Sequence, residues 1–188
     1  MRFLVQMMLM LVLGHILALS PIVKRAISFL LKGIDSSSKA ILLISFSSVL
    51  LGLFNWGLAL IGSAILARKI AEHAKKQKFK INYPLIVAAA YASLMVWHGG
   101  ISGSAPAKVA EPGHIKQMMS NLMSQEQLNQ LPDLIDYGST IFSKMNGFVI
   151  IALLIFLPGL LYFINKKTSQ NIPDIDFGEA SKDQENEV

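Results

Sequence analysis

Four stretches of the chain contain no Asp, Glu, Lys or Arg: 3–23, 40–67, 83–107 and 145–165. Uncharged apolar runs of roughly 18 residues or more are long enough to cross a bilayer as helices. The pattern predicts an all-α integral membrane protein with spans over 3–20, 84–107 and 145–165. The first is about 27 Å of helix, close to the ~30 Å hydrocarbon core, and Pro21 ends it. The same residues also fit a signal peptide, with Arg2 ahead of an apolar core and Ala18-Leu19-Ser20 as a small-residue cleavage site. Over 22–33, Ile22, Ala26, Phe29 and Leu30 share one face, with Lys24, Arg25 and Lys32 elsewhere. That is the pattern of an interfacial helix lying at the headgroups.

The stretch 40–67 differs from the other three. As one helix it would be about 42 Å long and would need a tilt of roughly 45°, beyond the usual range. Gly52, Asn55, Gly57 and Gly62 crowd its middle. Asn55-Trp56-Gly57 divides it into two arms, each too short to span alone, and both flanks are basic, which favours one side for both ends. The expectation is a re-entrant helical hairpin over 40–67 with its tip at Asn55. One tilted helix with a packing Asn is the alternative.

Pro84 opens the next helix at a favourable first-turn position, and Ala88-Ala89-Ala90 offers a small-residue face for close packing. That helix meets Gly99-Gly100-Ile101-Ser102-Gly103-Ser104. Glycine in a helix interior costs ~1 kcal/mol relative to Ala, so a second break is expected here. Unwound backbone at membrane depth survives only when buried in protein or facing a wet cavity. The polar stretch 108–144 reads as an extramembrane connection with one amphipathic helix around His114 to Leu131. The span 145–165 runs through Pro158 and is stopped by Lys166-Lys167. Placing the basic loops inside makes 84–107 cross outward and 145–165 cross back.

Composition adds that charge has been removed. Charged residues make up 15% of the 188 and mean hydropathy is +0.49, against about 25% charge in soluble domains. An ordinary soluble globule and a disordered chain are both excluded. There is no cysteine, so disulfide and thiolate chemistry are absent. The net charge of +5 hides two blocks: six basic residues with the single Glu72 over 68–80, and six acidic residues with Lys182 over 174–187. The acidic block, 168–188, reads as a disordered solvated tail. The basic run has little aromatic interleaving, so topology and anionic lipid explain it and nucleic acid does not.

Broken helices at membrane depth have a recurrent use. Half-helix N-termini present N–H groups to anions, and unwound carbonyls coordinate cations. The two breaks carry an amide and hydroxyls at Asn55, Ser102 and Ser104, and no charge. That inventory suits an alkali cation held by neutral oxygens at those three residues, or a small carboxylate cradled by N–H donors. It does not suit acid–base or nucleophilic catalysis, so an enzyme is not expected. His15, His73, His98 and His114 fall in four separate elements without metal-ligand spacing. His98, beside Trp97 and the glycine break, is placed either to touch a substrate or to hold the unwound backbone. Trp56 and Trp97 serve as pocket walls or as packing residues.

Several of these residues together carry a likeness. Phe54-Asn55-Trp56-Gly57 leads through Gly62 to Ala67-Arg68. Tyr83-Pro84-Leu85 and Ala88-Ala89-Ala90-Tyr91 follow, then Trp97-His98-Gly99-Gly100-Ile101-Ser102-Gly103-Ser104-Ala105-Pro106 and Pro112-Gly113-His114. With Gly14-His15 before them and Ile141-Phe142-Ser143 and Asn146 after, this order closely resembles the short-chain fatty acid transporter family of the acetoacetate-degradation type.

The resemblance implies a permease for small carboxylates such as acetoacetate or butyrate, in a bacterial cytoplasmic (inner) membrane. It is also similar to the wider ion-transporter group, in which a hairpin tip and an unwound helix together hold a coupling cation and the substrate carboxylate. Carried onto this chain, the tip is Asn55, Trp56 and Gly57. The unwound part is His98, Gly99, Gly100, Ser102, Gly103 and Ser104, and the coupling ion is Na⁺ or H⁺. Family members are expected to exceed twice this length, with an inverted second repeat. These residues correspond to one repeat, whose site a second repeat from another chain, or a homodimer, would complete. A half-transporter or membrane subunit inactive alone is the alternative.

Overall fold

A computed structural model describes residues 2–168, and among these every regular element is helical. All but the first residue of the acidic tail expected over 168–188 lies outside the described residues. α1 (Arg2–Ala18) and α2 (Pro21–Leu31) are bent 60° apart. Ser20 caps α2 by accepting the Val23 N–H at 3.4 Å, and Pro21 occupies a first-turn position that needs no N–H. α2 packs on the protein through Val23, Ile27 and Leu31. The face carrying Ile22 and Phe29 points away, at 77% and 74% exposure.

α3 (Ser37–Phe54) and α4 (Trp56–Gln77) form an antiparallel pair, the chain reversing at Asn55 rather than continuing as one helix. Ala40, Ile41 and Ile44 share a core with Ile70, Ala71 and Ala74, so the start of α3 lies beside the end of α4. His73 Nε2 reaches the Ile34 carbonyl at 3.1 Å across the same end. Ser36 caps α3 ahead of the charge-free stretch and gives the helix 18 residues, about 27 Å. That makes α3 long and apolar enough to cross a membrane by itself, which the charge-free arm alone did not indicate. Across the tip, Gly14 of α1 meets Gly57 at close range. A Cβ on Gly14 would stand 2.9 Å from the Gly57 carbonyl carbon and 2.9 Å from the Leu58 nitrogen.

α5 (Tyr83–Tyr91) rises alongside α3, burying Ile86, Ala89 and Ala90. The α-helix gives out at Tyr91, eight residues before the first glycine of the predicted break. It continues as two 3₁₀ turns, Ala92–Met95 and Trp97–Gly99. A 3₁₀ turn leaves carbonyls of the preceding helix short of donors. The buried Ser48 hydroxyl of α3 adds a second donor, 2.8 Å from the Ala89 carbonyl that the Ala92 N–H already meets. An extended Gly100 and a turn lead into α6 (Ser104–Val109).

The connection that follows holds two short helices, α7 (His114–Met119) and α8 (Gln125–Gln130), where one helix around His114 to Leu131 was expected. Ser124 is the reason. Its hydroxyl accepts from the Gln127 N–H while the Gln127 side chain accepts from the Ser124 N–H, a capping box that starts a new helix.

α9 (Lys144–Thr168) returns antiparallel to α3, with Pro158 inside it. By length and composition, α3, Tyr83–Val109 and α9 can each cross a membrane, and α1 with α2 adds a fourth crossing if that bent pair is one span.

A polar knot ties the basic end together. Asn165 of α9 is 2% exposed. Its Oδ1 accepts from the Ser37 hydroxyl at 3.0 Å and its Nδ2 donates to Ser38 Oγ at 3.3 Å. Ser37 Oγ in turn accepts from the Asn82 N–H at 3.2 Å, fixing the start of α5. Asn165→Leu should destabilise the chain by about 1–3 kcal/mol by leaving buried hydroxyls unmet, measured as a lower thermal midpoint in detergent.

Candidate functional site

The site is built from three elements that meet at the end of the bundle opposite the basic loops. Asn55 ends α3 in an extended conformation and begins α4, its Oδ1 accepting from the Leu58 N–H at 2.9 Å. An N-cap Asn of this kind is worth about 1 kcal/mol to the helix it starts. The first N–H of α4, on Trp56, has no partner in its own helix. It donates instead to Ser102 Oγ at 3.1 Å, across from the unwound segment. The Ile101 N–H donates to the Leu53 carbonyl at 2.7 Å, meeting the last turn of α3. The hairpin tip and the Gly-rich loop therefore clasp each other through two hydrogen bonds.

Close approach makes this possible. A Cβ on Gly100 would lie 2.4 Å from the Leu53 carbonyl oxygen and 2.7 Å from its Cα, so only glycine fits. The third element is the first turn of α9. Asn146 Nδ2 donates to the Gly99 carbonyl at 2.9 Å and to the Ile141 carbonyl at 2.7 Å, anchoring the loop from its other side.

Aromatic rings close one flank. Trp56 and Trp97 lie 5.9 Å apart between centroids, and His98 stacks on Trp97 at 3.8 Å. Trp56 is half-buried, and its indole Nε1 is buried with no hydrogen-bond partner among the described residues. A buried donor in that state is costly, of order 1–3 kcal/mol, until an acceptor reaches it. On the other flank, an apolar cleft of about 390 Å³ runs between the end of α3, Gly99–Ile101 and the start of α9.

The structure thus brings Asn55, Trp56, Gly57, Gly99, Gly100 and Ser102 into one cluster. His98 is exposed and touches the cluster through Trp97. Gly103 turns the loop, its N–H donating to the Gly100 carbonyl at 3.0 Å, and Ser104 is the half-buried first residue of α6. The cluster is polar but uncharged, and the backbone N–H groups of Asn55 and Trp56 already donate to the Leu51 carbonyl and Ser102 Oγ. Asn55 Oδ1 and Ser102 Oγ each accept from a backbone N–H at the start of α4. Among the described residues no three His, Asp or Glu side chains gather as a metal site.

Asn146 and the Leu53 carbonyl are the contributors that sequence reasoning did not single out as site residues. The signal for Asn146 was an amide at the mouth of an otherwise apolar helix. A backbone carbonyl leaves no signal. Ser102→Ala removes the acceptor for the Trp56 N–H and should cost about 1–3 kcal/mol of stability. Amide hydrogen exchange at Trp56 would read that loss locally, with protection falling there and persisting in the core of α4.

The comparisons with known proteins point one way. The family profile described as short chain fatty acid transporter matches residues 1–188. A relative from Haemophilus influenzae, named as a short-chain fatty acid transporter, is 32% identical over 88% of this chain and 35% of its own length. A relative from Escherichia coli K12 with the same name is 30% identical over 87% of this chain and 34% of its own. The chain therefore spans about a third of the length of the curated relatives it matches. No solved structure matches it.

Proposed function

Because this chain belongs to the short-chain fatty acid transporter family, we propose that it carries one repeat of a secondary transporter for small carboxylates such as butyrate and acetoacetate. The observation behind the reading is the clasp of Asn55, Trp56 and Ser102 beside a buried indole N–H that lacks an acceptor. A small carboxylate would supply that acceptor. A half-helix N-terminus at α4 favours the same negative charge. An alkali cation at the oxygens of Asn55, Ser102 and Ser104 would couple uptake to a Na⁺ gradient, and protonation of the substrate would couple it to H⁺. The setting is a bacterial cytoplasmic membrane, with α3 and α4 entering and leaving from the basic side.

Sites in broken-helix transporters form between repeats, and the chain covers about a third of its relatives. The site is therefore completed by a second repeat, from another chain or from a second copy of this one. Uptake of labelled butyrate tests the reading, in cells expressing these residues alone and together with the remaining portion of a relative. The expected result is uptake in the combined cells that Trp56→Phe lowers roughly tenfold, the worth of one hydrogen bond to a charged group. Uptake indifferent to Trp56→Phe would remove the indole from the site, and uptake indifferent to Na⁺ and pH gradients would remove coupling.

A further inference from the structure

We propose that the groove between the α2–α3 turn, α3 and α9 is a binding site for an anionic phospholipid. Its phosphate would sit at Lys39, with one acyl chain along α3. The groove has a volume of about 460 Å³, and Leu42, Phe46, Leu154 and Pro158 form much of its wall. Lys39 is the charged residue lining it, at the end where the basic loops gather. From Lys39 to Phe46 the α3 wall runs about 10 Å down into the apolar layer. Leu42 and Phe46 remain 38% and 47% exposed to it. A cation at the mouth above an apolar trough has the polarity of an anionic amphiphile.

Charge selects the occupant. The α2–α3 turn, the start of α3, the end of α4 with the turn after it, and the end of α9 carry ten Lys and Arg among the described residues, against the carboxylates Asp35 and Glu72. Asp35 pairs with Lys39 at 2.5 Å, but both side chains are more than half exposed. Exposed pairs of this kind contribute only ~0–1 kcal/mol, so the lysine still attracts a phosphate. Anionic headgroups gain about 1 kcal/mol per nearby Lys or Arg, whereas a zwitterionic headgroup brings its own cation to a positive surface. A second copy of this chain in the same orientation would bring ten more positive charges to the same end, which disfavours it as the occupant.

The test uses the 188-residue chain in mild detergent, titrated with an equimolar mixture of phosphatidylglycerol and phosphatidylcholine, with retained lipid counted by native mass spectrometry. The expected result is a preference for phosphatidylglycerol of about fivefold, the worth of one nearby lysine. Lys39→Gln should abolish that preference while leaving weak retention of both lipids. Gly33→Trp should remove retention of both, because a Cβ at Gly33 meets no atom within 4 Å and the indole can fill the groove mouth without disturbing packing. Equal retention of the two lipids by the parent chain, or a preference that survives Lys39→Gln, would overturn the proposal. A lipid-free dimer that Gly33→Trp converts to monomer would also overturn it, and would assign the groove to a second copy.

Discussion

Replacing Gly100 with Ala should separate the Gly-rich loop from the hairpin tip. The new Cβ would have to occupy space 2.4 Å from the Leu53 carbonyl oxygen and 2.7 Å from Leu53 Cα. Both are backbone atoms, so no side-chain rotation relieves the overlap. Overpacking of this kind costs about 1–3 kcal/mol. The displacement also breaks the 2.7 Å bond from the Ile101 N–H to the Leu53 carbonyl, for a further ~1 kcal/mol. The thermal midpoint in detergent should fall, and Ile101 and Trp56 should lose amide protection together, since the two clasp bonds hold the same pair of segments. Protection lost at Ile101 alone would mean that the two bonds act independently.

Asn146→Leu should have an effect of similar size by a different route. The amide donates to the Gly99 and Ile141 carbonyls, and leucine leaves both without that donor in an apolar setting, at about 1–3 kcal/mol each. Leucine has nearly the same size, so the loss is of hydrogen bonds rather than of packing. Asn146→Asp is the informative companion. It keeps the shape but offers acceptors where donors are needed, so it should be at least as damaging as leucine. Differential scanning fluorimetry in one detergent would rank parent, Leu and Asp. An Asp variant as stable as the parent would mean that Asn146 does not anchor Gly99 through its Nδ2.

The two predictions show where sequence reasoning reached and where it stopped. The chain reversal at Asn55 was legible because a polar residue between Gly52 and Gly57 interrupts a run too long for one crossing. The membership of Asn55, Gly100 and Ser102 in one cluster was legible through the likeness to a family. Their partners were not, because Trp56 and Ile101 act there through backbone N–H groups that carry no residue-specific mark. The unwinding at Ala92 escaped prediction since Ala92-Ser93-Leu94-Met95 has no helix breaker. A long-range bond from Ser48 meets a carbonyl at that point, and tertiary contacts of this kind override local propensity. The face of α2 carrying Ile22, Phe29 and Leu30 stays exposed, and its inward face of Val23, Ile27 and Leu31 was missed because the helix is apolar on two sides.

The chain holds two tryptophans, and both, Trp56 and Trp97, stand in the candidate site 5.9 Å apart. Their fluorescence therefore reports the proposed carboxylate site without any label. The most direct measurement is a titration of the 188-residue chain in lipid nanodiscs with butyrate, in the presence of Na⁺, with Trp56→Phe beside it. The account predicts a saturable change with the millimolar affinity expected of half a site, about 4 kcal/mol of binding at a Kd of ~1 mM, weakened in Trp56→Phe. A flat response to butyrate at about 10 mM, tenfold above that Kd, or a response that persists unaltered in Trp56→Phe, would contradict it.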